Sequence, residues 1–173
     1  MSSVVQIPPP PPKGRVLERS LSLLLPVRDA QATLSDTVHR ILEVAADLTD
    51  RVELVIIDDG STDATSEVAA ELERDYPQIR TIRHGAPRGE QESVKEGLRV
   101  CSGRVVLCRP TDESLEINDL PRVWKSVSTG NLPSPKDSSF RLIDRRTGQQ
   151  LHGPTRPARP NFLNQVREFA FGE

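Results

Sequence analysis

The feature that most constrains the fold is a regular alternation of short apolar runs with segments whose apolar residues recur at helical spacing. Strands are predicted at residues 20–27, 52–58, 78–84 and 103–109, and helices at about 33–48, 61–76, 89–101 and 118–127. A strand followed by a helix, repeated about every 25–30 residues, implies right-handed crossovers. We therefore predict an α/β fold with a mostly parallel sheet and helices on both faces.

The chain length of 173 residues has room for one ordinary domain. We predict three regions: a proline-rich flexible leader at 1–19, the α/β domain at 20–130, and a short, basic, irregular C-terminal extension at 131–173. The leader contains Pro8 to Pro12, which favours an extended polyproline II rod and could alternatively bind a protein partner. In the extension, alternation at 140–152 predicts a hairpin, and 161–171 predicts a short helix.

Composition excludes several classes of partner. The formal net charge is only −2, so nothing calls for nucleic acid or an anionic membrane surface. No apolar run approaches the ~20 residues of a membrane helix, and the N-terminus lacks the pattern of a signal peptide. The two cysteines give no disulfide framework. We expect a cytoplasmic protein with no integral membrane segment.

The second predicted strand ends in the segment "IIDDGSTD", which places Asp58 and Asp59 where parallel sheets bind ligands. Adjacent carboxylates repel each other unless donors or a cation face them. The N–H groups of a nucleotide base, a ribose diol or a metal ion would each supply that partner. Thr62 and Asp63 are interpreted instead as caps of the following helix.

Three segments together resemble a known family: "LLLPVRDAQATL", "VELVIIDDGSTDAT" and "GEQESVKEGLRVCSGRVVLC". In this order and spacing, residues 20–120 resemble the nucleotide-binding half of the family 2 glycosyltransferases, whose fold is called GT-A. The resemblance implies a Rossmann-like domain that binds a UDP- or GDP-linked sugar at the carboxyl ends of its strands.

The resemblance also implies which residues contact the nucleotide, namely Pro26, Val27, Arg28, Asp58, Asp59, Ser61, Arg88 and Arg109. The first three would flank the base or ribose. One of the two aspartates would hold the base or ribose by hydrogen bonds, and the serine would shape the turn. Arg88 would approach a phosphate.

The sequence departs from the family at the metal site. Members carry an Asp-x-Asp at the end of the fourth strand, where this chain has Arg109-Pro110-Thr111. Asp112 lies three positions beyond the first expected ligand, which is roughly 10 Å at ~3.3 Å per residue. A rearranged loop would let Asp112 bind Mn²⁺ or Mg²⁺. Alternatively, Arg109 pairs with the diphosphate without a metal, or is simply a solvated cation.

These departures predict a possible pseudoenzyme whose transferase activity, inverting hexosyl transfer, is impaired or lost. Family members also continue for longer, although "SSFRLIDRR" resembles a stretch of the polyprenyl-phosphate sugar transferases. No catalytic residue is identified, and His84 is interpreted as structural. The alternative is a non-catalytic interaction or regulatory protein that keeps the GT-A fold without binding a nucleotide. A receiver-like module is disfavoured because its acids follow the first strand.

Overall fold

The structure is a computed structural model, and it describes residues 20–103, 105–108, 117–129, 140–145 and 149–152. Within these residues the strands are β1 (Ser20–Val27), β2 (Arg51–Asp58), β3 (Ile79–Arg83), β4 (Val105–Cys108), β5 (Arg141–Asp144) and β6 (Gln149–His152). The helices are α1 (Leu34–Ala46), α2 (Thr65–Asp75), α3 (Glu90–Val100) and α4 (Leu120–Thr129).

The strands form one sheet in the order β3-β2-β1-β4-β5-β6. The first four strands pair in parallel, whereas β5 and β6 join the sheet as an antiparallel hairpin. The predicted α/β fold with a mostly parallel sheet is therefore confirmed, and so is the hairpin. Strand order changes direction between β1 and β4, and open α/β sheets bind ligands at such a switch point.

The helices cover both faces of the sheet, which explains the apolar run of β2. Leu54 and Ile56 pack into a cluster with α1, α2 and α4, whereas Val55 and Ile57 pack into a second cluster with α3. All four side chains are fully buried. A strand that buries both faces needs apolar residues at every position rather than at alternate ones.

Helix α3 lies close against β1 and β2 because Gly97 has no side chain. A Cβ at Gly97 would lie 2.6 Å from Cδ2 of Leu24 and 3.1 Å from Cδ1 of Ile57.

At the end of this helix, burial raises the pKa of the Cys101 thiol, and the nearby Glu53 carboxylate adds to the effect. Cys101 is therefore a neutral thiol that serves as a small apolar side chain, as the sequence indicates.

A buried carboxylate ties the elements together at the amino ends of the strands. Glu53 accepts hydrogen bonds through Oε2 from Oγ of Ser22 (3.0 Å) and from N and Oγ of Ser102 (2.7 and 2.9 Å). Its Oε1 lies 3.3 Å from Nε of Arg80, and the amide of Gly103 donates to Ser22 Oγ at 2.7 Å. Sequence analysis missed this cluster of five residues, because one charged residue in an apolar run gives no periodic signal.

The observed helices are shorter than the predicted ones at their first turns. Helix α2 begins at Thr65 because residues 59–64 form an irregular turn. Helix α4 begins at Leu120, after a 3-10 turn over Ile117–Asp119. Trp124 on α4 packs into the core, and its Nε1 donates to the carbonyl of Leu48 at 3.2 Å.

None of the helices in the described ranges is long and apolar enough to cross a membrane. The predicted leader at 1–19 and the predicted helix at 161–171 lie outside the described residues.

Candidate functional site

The candidate site lies where the carboxyl ends of three strands meet. Val27 at the end of β1 pairs with Asp58 at the end of β2, which in turn pairs with Arg83 at the end of β3. The amide of Asp59 donates to the Val27 carbonyl at 2.9 Å, so the parallel pairing continues one residue past the strand. The two adjacent aspartates therefore begin a turn at the ligand-binding edge of the sheet.

Asp58 faces inward and shapes this turn. Its Oδ1 accepts hydrogen bonds from N and Oγ of Ser61, at 2.9 and 2.5 Å. Its side chain is only 2% exposed, and its Oδ2 has no hydrogen-bond partner in the described part of the chain, with Nε of Arg83 at 4.0 Å. Because solvent hardly reaches this carboxylate, its role is to close the turn through Ser61.

Gly60 allows the turn to pack against the loop that follows β3. Its φ is +70°, and a Cβ there would lie 2.5 Å from the backbone N of Pro87 and 2.6 Å from the carbonyl carbon of Ala86. Only glycine combines this backbone conformation with such a close approach. The turn after β2 and the loop before α3 therefore form one packed unit.

Asp59 connects that turn to the start of α3. Its Oδ1 accepts hydrogen bonds from Nδ1 of His84 and from the amide of Arg88, both at 2.7 Å, and its Oδ2 accepts one from the amide of Gly89 at 2.8 Å. Burial alone would raise the pKa of Asp59, but the hydrogen bonds from Arg88, His84 and Gly89 outweigh it and lower the pKa. Asp59 is therefore ionised at neutral pH.

The second oxygen of Asp59 can accept a further donor. A carboxylate oxygen offers about two lone-pair sites, and among the described residues Oδ2 accepts one hydrogen bond. The Asp59 side chain is 12% exposed. Of the two aspartates, Asp59 is thus the one that keeps both acceptor capacity and access.

His84 lies behind Asp59 and is almost fully buried. Its side chain is 1% exposed, Nδ1 contacts Asp59, and Nε2 contacts Oε2 of Glu96 on α3. Nη1 of Arg88 lies 3.6 Å from Oε1 of the same glutamate. Sequence analysis placed His84 near the cleft but did not single out Glu96, because its spacing from the histidine carries no pattern.

The loop after β1 is bound to the same turn by reciprocal hydrogen bonds. Asp29 donates its amide to Ser61 Oγ at 2.9 Å, and its Oδ1 accepts from the amide of Thr62 at 2.8 Å. Asp29 has a φ of +49°, a left-handed conformation that aspartate tolerates better than most residues. Arg28, immediately before it, extends an exposed side chain.

A second set of contacts continues this junction into α2. Asp63 accepts from the amide of Thr65 at 3.0 Å and from the amide of Gln31 at 3.1 Å, and the amide of Ala30 donates to Thr65 Oγ1 at 2.8 Å. The Thr65 hydroxyl is the main cause that lowers the pKa of Asp63.

The N-cap of α2 is Ala64, which has no side-chain cap hydrogen bond, and the Thr62 hydroxyl donates to Asp29 rather than to the helix. The capping role predicted for Thr62 is therefore wrong, and Asp63 lies one residue before the N-cap, where it accepts from the amide of the first helical residue.

The remaining predicted site residues divide into three groups. Pro26 and Val27 are buried within β1, and the Val27 side chain packs into the core. Arg88 lies beside Asp59 with a side chain that is 56% exposed. Arg109 and Asp112 lie outside the described residues. In the ranges that the structure describes, no three His, Cys, Asp or Glu side chains cluster in a way that could hold a metal ion.

Comparison with known proteins identifies the family. The family described as Glycosyl transferase family 2 matches residues 22–166, and the chain belongs to this family. Among its relatives is the undecaprenyl-phosphate 4-deoxy-4-formamido-L-arabinose transferase of Photorhabdus laumondii, 23% identical over 149 residues, which cover 77% of this chain and 46% of the relative. The dolichol-phosphate mannosyltransferase of Pyrococcus furiosus is 27% identical over 111 residues, covering 64% and 31%.

Solved structures show the same fold. The mannosyltransferase PcManGT from Pyrobaculum calidifontis, in complex with GDP-Man and Mn²⁺, superimposes with a TM-score of 0.54 at 19% identity, covering 68% of this chain and 36% of that one. Glucosyl-3-phosphoglycerate synthase from Mycobacterium tuberculosis, in complex with UDP and phosphoglyceric acid, gives 0.51 at 24% identity, covering 64% and 39%. The chain thus spans less than half the length of the proteins that it matches.

Proposed function

We propose that this chain binds the nucleotide part of a nucleotide-sugar and that Asp59 is the residue that holds its base or ribose. The observation that carries the proposal is the state of Asp59. It is ionised, fixed by three donors, 12% exposed, and able to accept one more hydrogen bond at Oδ2. An N–H of a base or a ribose hydroxyl would supply that donor.

Two arginines lie in the loops that contact the turn of Asp59. The side chains of Arg28 and Arg88 are 54% and 56% exposed; Nε of Arg28 lies 3.7 Å from Oδ2 of Asp29, and Nη1 of Arg88 lies 3.6 Å from Oε1 of Glu96. Guanidinium groups bind phosphate in a bidentate geometry. In this proposal Arg28 flanks the base or ribose together with the end of β1, and Arg88 approaches a phosphate.

We further propose that sugar transfer is impaired or lost in this chain. The support is the replacement of the family's Asp-x-Asp by Arg109-Pro110-Thr111. A divalent metal at that motif offsets the charge of the leaving diphosphate, and the solved relatives named above include complexes with Mn²⁺. We expect Arg109 to contact the diphosphate directly, so that binding needs no metal. If binding instead needs a metal, Asp112 is the residue that would rebuild the metal site.

The test is calorimetric titration of the chain with UDP and GDP, each with and without Mn²⁺. We expect one of the two nucleotides to bind without metal, and we expect Asp59→Asn to weaken binding by about tenfold or more, since one charge-assisted hydrogen bond is lost. Asp63→Asn is the matched control, because it changes the same side chain four residues away, just before the N-cap of α2. It should bind like the wild type.

Each other result has a definite meaning. Binding that requires Mn²⁺ and disappears in Asp112→Ala would contradict the metal-independent site. Absence of binding by either nucleotide would contradict the proposal as a whole and favour the interaction protein. Transfer is assayed separately with sugar conjugates of the nucleotide that binds and with undecaprenyl phosphate, the acceptor class in the names of several relatives. Formation of a glycosylated lipid would overturn the loss of activity.

A further inference from the structure

We propose that His84 is a positioning residue: as an imidazolium it connects Asp59 to Glu96 of α3, and the loss of one ring proton weakens nucleotide binding. This inference rests on the proposed function of Asp59. It goes beyond it by assigning a role to a buried side chain that makes no contact with the ligand, and by predicting how binding depends on pH.

Both ring nitrogens of His84 face carboxylate oxygens. Nδ1 of His84 lies 2.7 Å from Oδ1 of Asp59, and Nε2 is within hydrogen-bond distance of Oε2 of Glu96. Neutral imidazole donates at one nitrogen and presents a lone pair at the other, whereas imidazolium donates at both. When both carboxylates are ionised, the protonated ring satisfies both contacts and the neutral ring satisfies one of them. The ring is 1% exposed, so water does not easily replace a lost partner.

The two contacts join three separate parts of the site. Asp59 belongs to the turn after β2, Glu96 lies on α3, and the backbone amide of His84 donates to the Asp58 carbonyl at 2.9 Å. Among the described residues, Arg88 lies 3.6 Å from Glu96, and Arg83 lies 4.0 Å from Asp58, so both partners of this junction also face arginines. A ring fixed at both nitrogens therefore fixes Asp59 relative to the loop that starts α3.

The sign of the pH effect follows from two arguments that agree. First, a neutral ring places a nitrogen lone pair against a carboxylate oxygen, so one contact opens and Asp59 is held less firmly. Second, the lost proton removes a positive charge next to a site that takes an anionic ligand, and attraction between opposite charges weakens accordingly. Both effects lower nucleotide affinity when the ring loses a proton.

Histidine replacement alone would not separate positioning from folding, so the decisive variant is Glu96→Gln. A glutamine amide can accept from a protonated Nε2 or donate to an unprotonated one. The ring then stays in place in either charge state. Wild-type affinity for the nucleotide that binds, measured as a pH profile, should be about threefold to tenfold lower with the neutral ring than with the imidazolium. In Glu96→Gln the change should shrink to about twofold or less.

A nucleotide-free readout keeps this inference separate from the proposed function. In the full chain labelled with nitrogen-15, both ring nitrogens of His84 should show protonated shifts at low pH, with the resonances assigned from His84→Gln. The amide shifts of Arg88 and Gly89 should change with the same midpoint, because both amides donate to Asp59. Failure of any nucleotide to bind would contradict the proposed function and leave this readout intact.

Two results would overturn the inference. One is a set of Arg88 and Gly89 amide shifts that stay constant while His84 titrates. The other is an identical pH profile of nucleotide affinity in the wild type and in Glu96→Gln.

Discussion

Two buried acidic side chains lie near opposite ends of the strands of the same sheet, and they accept hydrogen bonds from different parts of the chain. Glu53, at the amino edge, receives its donors from β1, from the segment after α3 and from Arg80 on β3. Asp59, at the carboxyl edge, receives its donors in the described part of the chain from residues 84–89, the loop between β3 and α3. The first carboxylate joins elements of the core, whereas the second holds one loop.

The difference teaches how to separate a structural carboxylate from one that we propose to bind a ligand when burial is similar. As whole residues, side chain and backbone together, Glu53 and Asp59 are 8% and 9% exposed, so exposure does not distinguish them. The distinction lies in the number of donors per carboxylate: among the described residues Glu53 has four, three at Oε2 and Arg80 at Oε1, whereas Asp59 has three. A carboxylate offers about four acceptor sites, so Asp59 keeps one that Glu53 has filled.

The largest effect is expected at the amino edge. Glu53→Ala should lower the free energy of unfolding by about 3 kcal/mol, because it leaves the buried Ser22 hydroxyl without its acceptor and Arg80 without its ion-pair partner, and also removes the acceptor of the more exposed Ser102. Urea denaturation followed by circular dichroism measures this loss. Glu53→Gln keeps an acceptor and should cost about half as much. A loss of unfolding free energy no greater than that caused by a substitution at an exposed residue would contradict the structural role of Glu53.

Gly60→Ala tests whether the turn at the carboxyl edge depends on close backbone contact. We expect a loss of about 2–3 kcal/mol, because alanine is strained at a φ of +70° and its Cβ would meet the backbone at Pro87. Nucleotide binding should weaken as well. Gly85→Ala is the control within the same loop, since its Cβ would meet nothing within 4 Å. Equal unfolding midpoints for the two variants would contradict this packing.

Asp29 tests the junction between the loop after β1 and the turn. Asp29→Ala should cost about 1–2 kcal/mol, because it removes the acceptor of the Thr62 amide and puts alanine in a left-handed conformation. Asp29→Asn keeps an acceptor and tolerates that conformation, so its unfolding midpoint should stay near the wild-type value. Similar losses in both variants would show that the carboxylate charge, rather than the hydrogen bond, matters.

The smallest expected effect is on the stability of the folded chain at acidic pH. The pKa of Asp59 is lower in the folded chain than the ordinary value of 3.8, so its contribution to stability is fully present above that value and is lost as pH falls through the lower, folded-state pKa. Asp59→Asn should therefore show a shallower loss of stability than the wild type below about pH 4. Thermal unfolding at a series of acidic pH values measures this. If the stability of the wild type and of Asp59→Asn fell equally with pH, the assignment of this effect to Asp59 would be contradicted.

Sequence analysis predicted the sheet, its helices and the hairpin because each strand and helix has its own apolar period. It also predicted the position of Asp58 and Asp59, since a strand end is readable from the sequence. It could not decide between them, because the donors of Asp59 come from His84, Arg88 and Gly89, about 25–30 residues away, where only tertiary contacts bring them together. Glu53 and Glu96 were missed for the same reason.

The most direct test of the central claim is one set of nucleotide titrations on three chains: wild type, Asp59→Asn and Glu53→Gln, each with its unfolding midpoint measured in parallel. We expect Asp59→Asn to lose at least about tenfold in affinity under conditions in which its unfolding midpoint shows that it is folded. We expect Glu53→Gln to lose stability and to keep wild-type affinity while it is folded. Equal affinity losses in both variants, or intact binding by Asp59→Asn, would contradict the assignment of the two carboxylates.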